Sequence, residues 1–333
     1  MFSLNPMIPE NIITIFLSFI FYLLSFILLF GFLWLFFYFF TLWYRWKDRE
    51  KHSLDLVTLL VAVPQDNEIK IDATENILAS LGTLYKSPKF KFLRAFNSQP
   101  SFSLEIIGTH DDIKFYICIP KKYQDLVEKQ FYSVYAGADI RPVDDPNIFF
   151  EKGHVEYAWL GLKKTPFYPI KTYKEIPTDP LSSITSVLSK LGDGETMAIQ
   201  MVLSPTDGSW SKAGKGFISS TKKSESNAEK ASYKVDARQL EAIESKSSKT
   251  GFETTLRLVS IAPDKDTAKR NMGNLKACFT QFESSWNKLS SRKIRLNSLF
   301  VDDYIYKYPV IYWHKGMTIL SVDEIASIFH LPN

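Results

Sequence analysis

An uncharged stretch of 34 residues, Asn11–Tyr44, constrains this chain more than any other feature of its sequence. Most of its side chains are Phe, Leu, Ile, Tyr or Trp. A helix rises about 1.5 Å per residue, so the stretch is longer than the hydrocarbon core of a bilayer, which is about 30 Å thick. It is too short for two full spans joined by a turn. The sequence therefore predicts one tilted transmembrane helix at residues 11–44.

The charges that flank this stretch predict its orientation. One charged residue, Glu10, precedes it, whereas residues 45–53 form a basic juxtamembrane segment. Lys and Arg accumulate on the cytoplasmic side of membrane helices. We therefore expect a single-pass protein of the inner membrane, with residues 1–10 outside and the rest of the chain in the cytoplasm. The side chains expected at the membrane interface are Trp43, Arg45, Trp46, Lys47 and Arg49.

A cleaved signal peptide is the alternative interpretation of the same stretch. However, the apolar run is about twice as long as the apolar region of a signal peptide. No basic segment precedes it and no small-residue cleavage site follows it. The sequence therefore favours a retained anchor.

The rest of the chain indicates a soluble body in a reducing compartment. Of the 333 residues, about 290 follow the span, which is enough for one large domain or two small ones. The two cysteines, Cys118 and Cys278, are far apart and form neither a disulfide framework nor a metal-binding pattern. The histidines occur singly. We therefore expect no metal and no cofactor.

The body contains two copies of one β-α-β-β-α-β pattern. In the first copy, residues 54–145, Asp72 and Glu75 resemble a capping box that starts a helix. A second amphipathic helix ends near Gly137. The strands predicted for this copy are Leu54–Val63, Phe102–Thr109, Ile113–Ile119 and Ala138–Val143.

The second copy, residues 154–300, repeats this order. Asp179 caps a helix that has Pro180 at its first position. A long helix is predicted from the apolar spacing between Ala268 and Leu289. The predicted strands are His154–Leu162, Glu195–Leu203, Phe252–Ala262 and Lys293–Phe300. The fold class predicted is therefore α+β, with an N-terminal transmembrane helix followed by two ferredoxin-like (βαββαβ) units.

A basic, serine-rich insertion at residues 211–251 distinguishes the second copy from the first. It holds nine Lys and Arg against five Asp and Glu, and this excess equals the net charge of the whole chain, +4. Its later part, residues 228–246, favours a helix. One interpretation is a solvated, mobile excursion at a hairpin tip. The other is a contact for nucleic acid, anionic lipid or a partner, although regularly interleaved aromatic residues are missing. The candidate contacts are Lys212, Lys215, Lys222 and Lys223.

No catalytic pattern is present in the sequence. The glycine-rich segment from Gly208 to Gly216 has Ala213 where a phosphate loop needs glycine. The same segment has Gly216 where Ser or Thr would bind magnesium. Adjacent carboxylates such as Asp302 and Asp303 point to opposite faces of a strand. The sequence therefore predicts a protein that is not an enzyme.

The C-terminal region, residues 301–333, is predicted to be a linker followed by a short helix. Residues 304–313 form an aromatic stretch, interpreted as a strand or a surface linker. Ser321 and Glu324 are spaced as a capping box for a helix with an apolar face. This helix is expected to pack on its own domain or on a following one.

Three local patterns carry a family resemblance. One is Ala242–Lys246, followed by Lys249–Glu253 and Leu256–Leu258. The second is Ile319–Pro332, and the third is Leu60–Pro64, which follows the anchor. Together they resemble the N-terminal region of membrane-anchored, conjugation-type DNA-transfer ATPases, the coupling-protein-like group of type IV secretion systems. The resemblance covers nearly the whole soluble part.

The resemblance implies an adaptor that positions a translocation ATPase, in the same or a separate chain, at the inner membrane. It does not imply ATP hydrolysis by these residues, because no Walker motif lies among them. The partners implied are the lipid bilayer, the ATPase and DNA. A homo-oligomer is a separate expectation, which the scaffold alternative below would also use. The alternative is a membrane-anchored scaffold or sensor that acts through protein–protein contacts with no nucleic-acid role. Steeply salt-dependent binding would favour the adaptor, and salt-insensitive self-association the scaffold.

Overall fold

The structure is a computed structural model that describes residues 10–47, 49–87, 99–225, 236–294, 297–309 and 317–332. The chain divides into an N-terminal unit that contains the apolar stretch and a larger body that begins at Glu50.

The apolar stretch forms one continuous helix, α1 (Glu10–Trp46). Its segment Thr14–Thr41 is long and apolar enough to cross a membrane, and it is the one such segment among the described residues. Its large side chains are mostly exposed, as a lipid-facing helix requires. Length and composition suit both an anchor and a signal sequence.

The body is built on one mixed α/β framework with a single antiparallel sheet. A short helix, α2 (Arg49–Leu54), leads into it. The nine strands of the described residues are β1 (Leu56–Ala62), β2 (Phe102–Gly108), β3 (Ile113–Pro120), β4 (Asp139–Val143), β5 (His154–Leu162), β6 (Thr196–Pro205), β7 (Gly251–Ala262), β8 (Leu289–Ser291) and β9 (Ile319–Ser321).

The strand order is β4-β1-β3-β2-β6-β7-β5-β8, and β9 pairs with the beginning of β7. Strands β2 and β6 pair along their length, with Glu105 opposite Gln200. Through this pairing, the N-terminal and C-terminal halves of the body share one sheet.

Each face of the sheet carries a core, because successive side chains of a strand point to opposite faces. Ile106 belongs to the larger core and its neighbour Ile107 to the smaller one. The helices that contribute buried residues to the larger core are α3 (Asp72–Gly82), α4 (Gln124–Val134), α5 (Pro180–Leu188), α8 (Lys265–Cys278) and α10 (Val322–Ile328). Helix α9 (Asn297–Ile305) contributes Phe300 and Tyr304 to the smaller core.

Two predicted helix starts are confirmed and one is wrong. The Asp179 carboxylate accepts the N–H of Leu181 at 2.8 Å and caps α5. Ser321 and Glu324 form the capping box of α10. The expected capping box at Asp72 is absent, because α3 begins at Asp72 itself and no side chain caps it.

The end of the second copy departs from the prediction. The long helix stops at Cys278, a 3-10 turn follows, and Leu289 begins β8. The predicted closing strand Lys293–Phe300 is wrong: β8 closes the sheet, and residues 297–305 are α9. Phe300 and Tyr304 stand four positions apart, so a helix buries both side chains on one face. Residues 310–313 of the expected aromatic extended stretch lie outside the described residues.

Candidate basic interaction site

The first half of the basic insertion is a helix, α6 (Ser209–Glu225). Gly208 precedes it with a φ of 69°, in the left-handed region that glycine adopts without strain. The Asp207 carboxylate accepts the N–H of Ser209 at 3.1 Å and so satisfies one exposed amide at the helix start. The glycine-rich segment that follows Gly208 is therefore helical and is not an open phosphate loop.

Close backbone packing fixes α6 on the body. A β-carbon at Gly214 would stand 3.1 Å from Cβ of Phe167 and would collide with the side chain of Ser247. The indole of Trp210 occupies the space beside Gly251 in the same way. These two glycines allow α6 to approach β7 and its neighbours.

The second half of the insertion contributes α7 (Ala237–Ser247), which packs against α6. Asp236 caps it by accepting the N–H of Arg238 at 3.0 Å. A small apolar cluster joins both helices to the loop after β5. Its members are Phe167, Tyr168, Phe217, Ile218, Leu240 and Ile243. The interpretation of the insertion as a solvated, mobile excursion is therefore wrong for residues 211–225 and 237–247, because both helices bury side chains.

The four candidate lysines lie together on the exposed side of α6. Lys212, Lys215, Lys222 and Lys223 are all exposed. At about 100° per residue, they fall within an arc of about 100° around the helix axis. In the described part of the chain, no carboxylate lies within ion-pair distance of Lys212, Lys215 or Lys222. We call these four residues the lysine face.

A fifth lysine of the insertion has the opposite environment. Lys246, in the last turn of α7, is 2% exposed, and its ammonium lies 2.8 Å from the carboxylate of Glu324 in α10. The ammonium also donates to the carbonyl oxygens of Ile319 and Tyr168, at 3.2 and 3.5 Å. Lys246 therefore contributes to the core, and sequence reasoning missed this because its partner is distant along the chain.

The juxtamembrane candidates are described in part. The ammonium of Lys47 lies 4.5 Å from the ring centroid of Tyr44 and 5.6 Å from that of Trp43, within cation–π range. Arg49 begins α2 and is half-buried. The side chains of Arg45 and Trp46 lie outside the described residues. The structure thus brings Trp43 and Lys47 together.

A second network of buried charged and polar side chains lies next to the smaller core. The ammonium of Lys307 lies 2.6 Å from the carboxylate of Asp145 and 3.5 Å from that of Glu105. Gln200 donates to Glu105 at 3.0 Å and accepts from the guanidinium of Arg257 at 2.8 Å. These contacts tie β2, β6 and β7 to the turn after α9. We interpret the network as structural.

Neither cysteine of the body is a thiolate that could act as a nucleophile or a metal ligand. Burial raises the pKa of the Cys118 thiol, and the nearby Glu105 carboxylate raises it further. Burial also raises the pKa of Cys278. Both thiols are therefore protonated at neutral pH, whereas the thiolate is the nucleophile and the metal ligand. Within the described ranges, no three His, Cys, Asp or Glu side chains are grouped to hold a metal ion.

Comparison with solved structures gives weak similarities. The chain is similar to the crystal structure of aclacinomycin oxidoreductase, with 10% identity and a TM-score of 0.31, covering 68% of this chain and 41% of that one. It is also similar to a glycopeptide hexose oxidase complexed with teicoplanin, with 8% identity, a TM-score of 0.30 and the same coverage. The chain thus spans about two fifths of these proteins. At such TM-scores the similarity supports no inference about fold or activity.

Comparison with sequences identifies the family. No curated protein matches the chain. One family model, described as "Domain of unknown function (DUF8128)", matches residues 50–333, which include the whole sheet and the insertion. The chain therefore belongs to this family of unknown function.

Proposed function

We propose that this chain is the membrane-anchored adaptor of a DNA-translocation system, and that the lysine face of α6 holds DNA beside a translocation ATPase. The ATPase is in the same chain or a separate one. The observation that carries the proposal is the lysine face itself, with four exposed ammonium groups on one side of a helix packed on the body.

The physical basis is the energetics of phosphate neutralisation. DNA carries a dense negative charge and a condensed layer of counterions, which lysines release when they contact phosphates. Lys212, Lys215 and Lys222 are well suited to this, because no carboxylate in the described residues neutralises them. Since close packing at Gly214 and Trp210 fixes α6 on the body, the helix that carries the four lysines needs no ordering of its backbone before DNA binds.

The proposal places α1 across the inner membrane as a single pass, with the N-terminus outside. The excess of Lys and Arg in residues 45–53 supports this orientation. The contacts of Lys47 with Tyr44 and Trp43 are typical of side chains at the headgroup boundary. The body and its lysine face are then cytoplasmic, where DNA is available.

We also propose that the body consists of two ferredoxin-like units. The order β4-β1-β3-β2 in the first half and β8-β5-β7-β6 in the second support this. Both correspond to the order 4-1-3-2 of the split β-α-β arrangement. The insertion that carries the lysine face then lies between β6 and β7. This position in the second unit corresponds to the β2–β3 hairpin of the first unit.

The test is DNA binding by the full chain in lipid nanodiscs. One variant replaces Lys212, Lys215, Lys222 and Lys223 by Gln. A control of equal charge change replaces four exposed lysines elsewhere in the body: Lys190, Lys265, Lys269 and Lys276. We expect the first variant to lose most of the affinity of the unmodified chain for a short DNA duplex, and the control to retain it. Equal losses would show that only net charge matters and would contradict the proposal.

The same preparation tests the alternative scaffold function. Sedimentation of the nanodisc-free chain in detergent, at low and high salt, reports self-association. Salt-insensitive oligomers without DNA binding would support a scaffold and overturn the adaptor proposal.

A further inference from the structure

The C-terminal segment of the body is built into its core. Every residue from Thr318 to Leu331 is buried, including Asp323, Glu324, Ser327 and His330. Helix α10 packs against α3 and α5 and follows directly after β9. A segment with this many buried polar groups requires a specific partner for each of them.

One of these groups joins three parts of the molecule. The Glu324 carboxylate accepts the N–H of Ile170 at 2.8 Å, in the loop after β5, and the N–H of Ser321 at 3.0 Å. It also pairs with Lys246 at the end of α7. With both side chains at most 2% exposed, neither charge has water to replace a lost partner.

A second ion pair lies beside the first. Lys249, just after α7, pairs with Asp323, whose other oxygen accepts from the hydroxyl of Ser321 at 2.6 Å. Two consecutive carboxylates of α10 are thus paired with two lysines that flank the end of α7. The loop that contacts Glu324 also supplies Phe167 and Tyr168 to the apolar cluster beneath the lysine face.

We propose that the helix pair α6–α7 and the C-terminal segment 317–332 dock and undock together, so that the C-terminal segment controls whether the lysine face is in place. If the segment leaves, Lys246 loses the Glu324 carboxylate and the Ile319 carbonyl, Lys249 loses Asp323, and α7 loses the ion pairs that hold its end on the body. If α7 leaves, Glu324 remains buried without its cation. Each element therefore stabilises the other.

If the lysine face binds DNA, which is the function proposed above, that binding is linked to the state of the C-terminal segment. A ligand that binds only the docked α6–α7 pair also stabilises the docked C-terminal segment, because the two states are linked. When free ligand is about 100 times its dissociation constant, the docked state gains a factor of about 100 over the undocked state. Amide exchange in α10 that proceeds through undocking should slow by the same factor.

Hydrogen exchange of the full chain in nanodiscs tests the linkage without any ligand. Glu324→Gln should accelerate amide exchange in α6 and α7 as well as in α10, while amides of α4, which the ion pairs do not contact, should exchange as before. The double variant Lys246→Met with Glu324→Gln carries neither buried charge and should restore slow exchange. Lys265→Met, on the exposed side of α8, is the control and should change none of these rates.

A short DNA duplex is the probe for the second arm, with the unmodified chain. Slower exchange in α10 on adding the duplex supports the linkage. Binding with unchanged exchange in α10 overturns it and leaves the proposed function standing. If the duplex does not bind, the proposed function fails, and the first arm alone decides the linkage. Acceleration confined to α10 in Glu324→Gln would overturn it.

Discussion

Replacing Lys307 by Met should destabilise the body strongly. The ammonium of Lys307 is 7% exposed and lies against Glu105, which is 2% exposed. Removing one partner of a buried ion pair costs about 3–5 kcal/mol, because the other charge stays buried and uncompensated. Asp145, the second partner, is half exposed, so water can replace its contact with little loss.

The substitution isolates the charge from other effects at this position. Lys307 has a φ of 51°, an uncommon conformation for a residue with a side chain. Met also carries a β-carbon, so the backbone strain is the same before and after the change. Since about 1 kcal/mol shifts the melting temperature of a body of this size by about 2–4 °C, the variant should melt on the order of 10 °C lower.

Thermal unfolding of the full chain in detergent, followed by circular dichroism, measures the effect. Lys114→Met is the matched control, because Lys114 pairs with Asp112 but both side chains are more than 40% exposed. An exposed pair of this kind contributes about 0–1 kcal/mol. The double variant Lys307→Met with Glu105→Gln should recover much of the lost stability. Equal shifts for Lys307→Met and Lys114→Met would refute the reasoning.

Two further predictions follow from the structure. Gly214→Ala should destabilise the α6–α7 pair, because the added methyl group has no room. Gly216→Ala, in open space on the same helix, should stabilise the pair by up to about 1 kcal/mol. Changes of the same sign in the free energy of unfolding, measured in urea, would contradict this. Burial acts to raise the pKa of Asp179, but the hydrogen bond and charge of His330 outweigh it and hold that pKa below its usual value. Asp179 therefore contributes stability above its unfolded pKa of about 3.9, and this stability is lost as the pH falls through the lower folded value. Urea midpoints should fall more steeply between pH 5 and pH 3 in the unmodified chain than in Asp179→Asn, and parallel curves would argue against this role.

The sequence correctly predicted two helix starts that depend on neighbouring residues alone. Asp179 followed by Pro180, and Ser321 three positions before Glu324, each specify a helix start within one turn. The closing strand and α9 were mispredicted because their positions depend on Phe300 and Tyr304 packing on a core from other strands. The local sequence does not indicate which face of the sheet a following helix will pack against.

The candidate site shows the same limit. The four lysines could be selected from the charge of the insertion, but α6 itself was not predicted. Glycines and serines weaken a helix by propensity, so α6 depends on the burial of Trp210 and Ile218. The pair of Lys246 with Glu324 links positions that are distant in sequence, and only the folded chain brings them together.

The salt dependence of DNA binding tests the central proposal most directly. The logarithm of the binding constant falls with the logarithm of salt concentration by about 0.9 for each phosphate neutralised. If all four residues of the lysine face contact phosphates, replacing them by Gln should reduce this slope by about 3.6, while the equally charged control at Lys190, Lys265, Lys269 and Lys276 leaves it unchanged. A slope that is the same in the lysine-face variant and the unmodified chain would contradict the account.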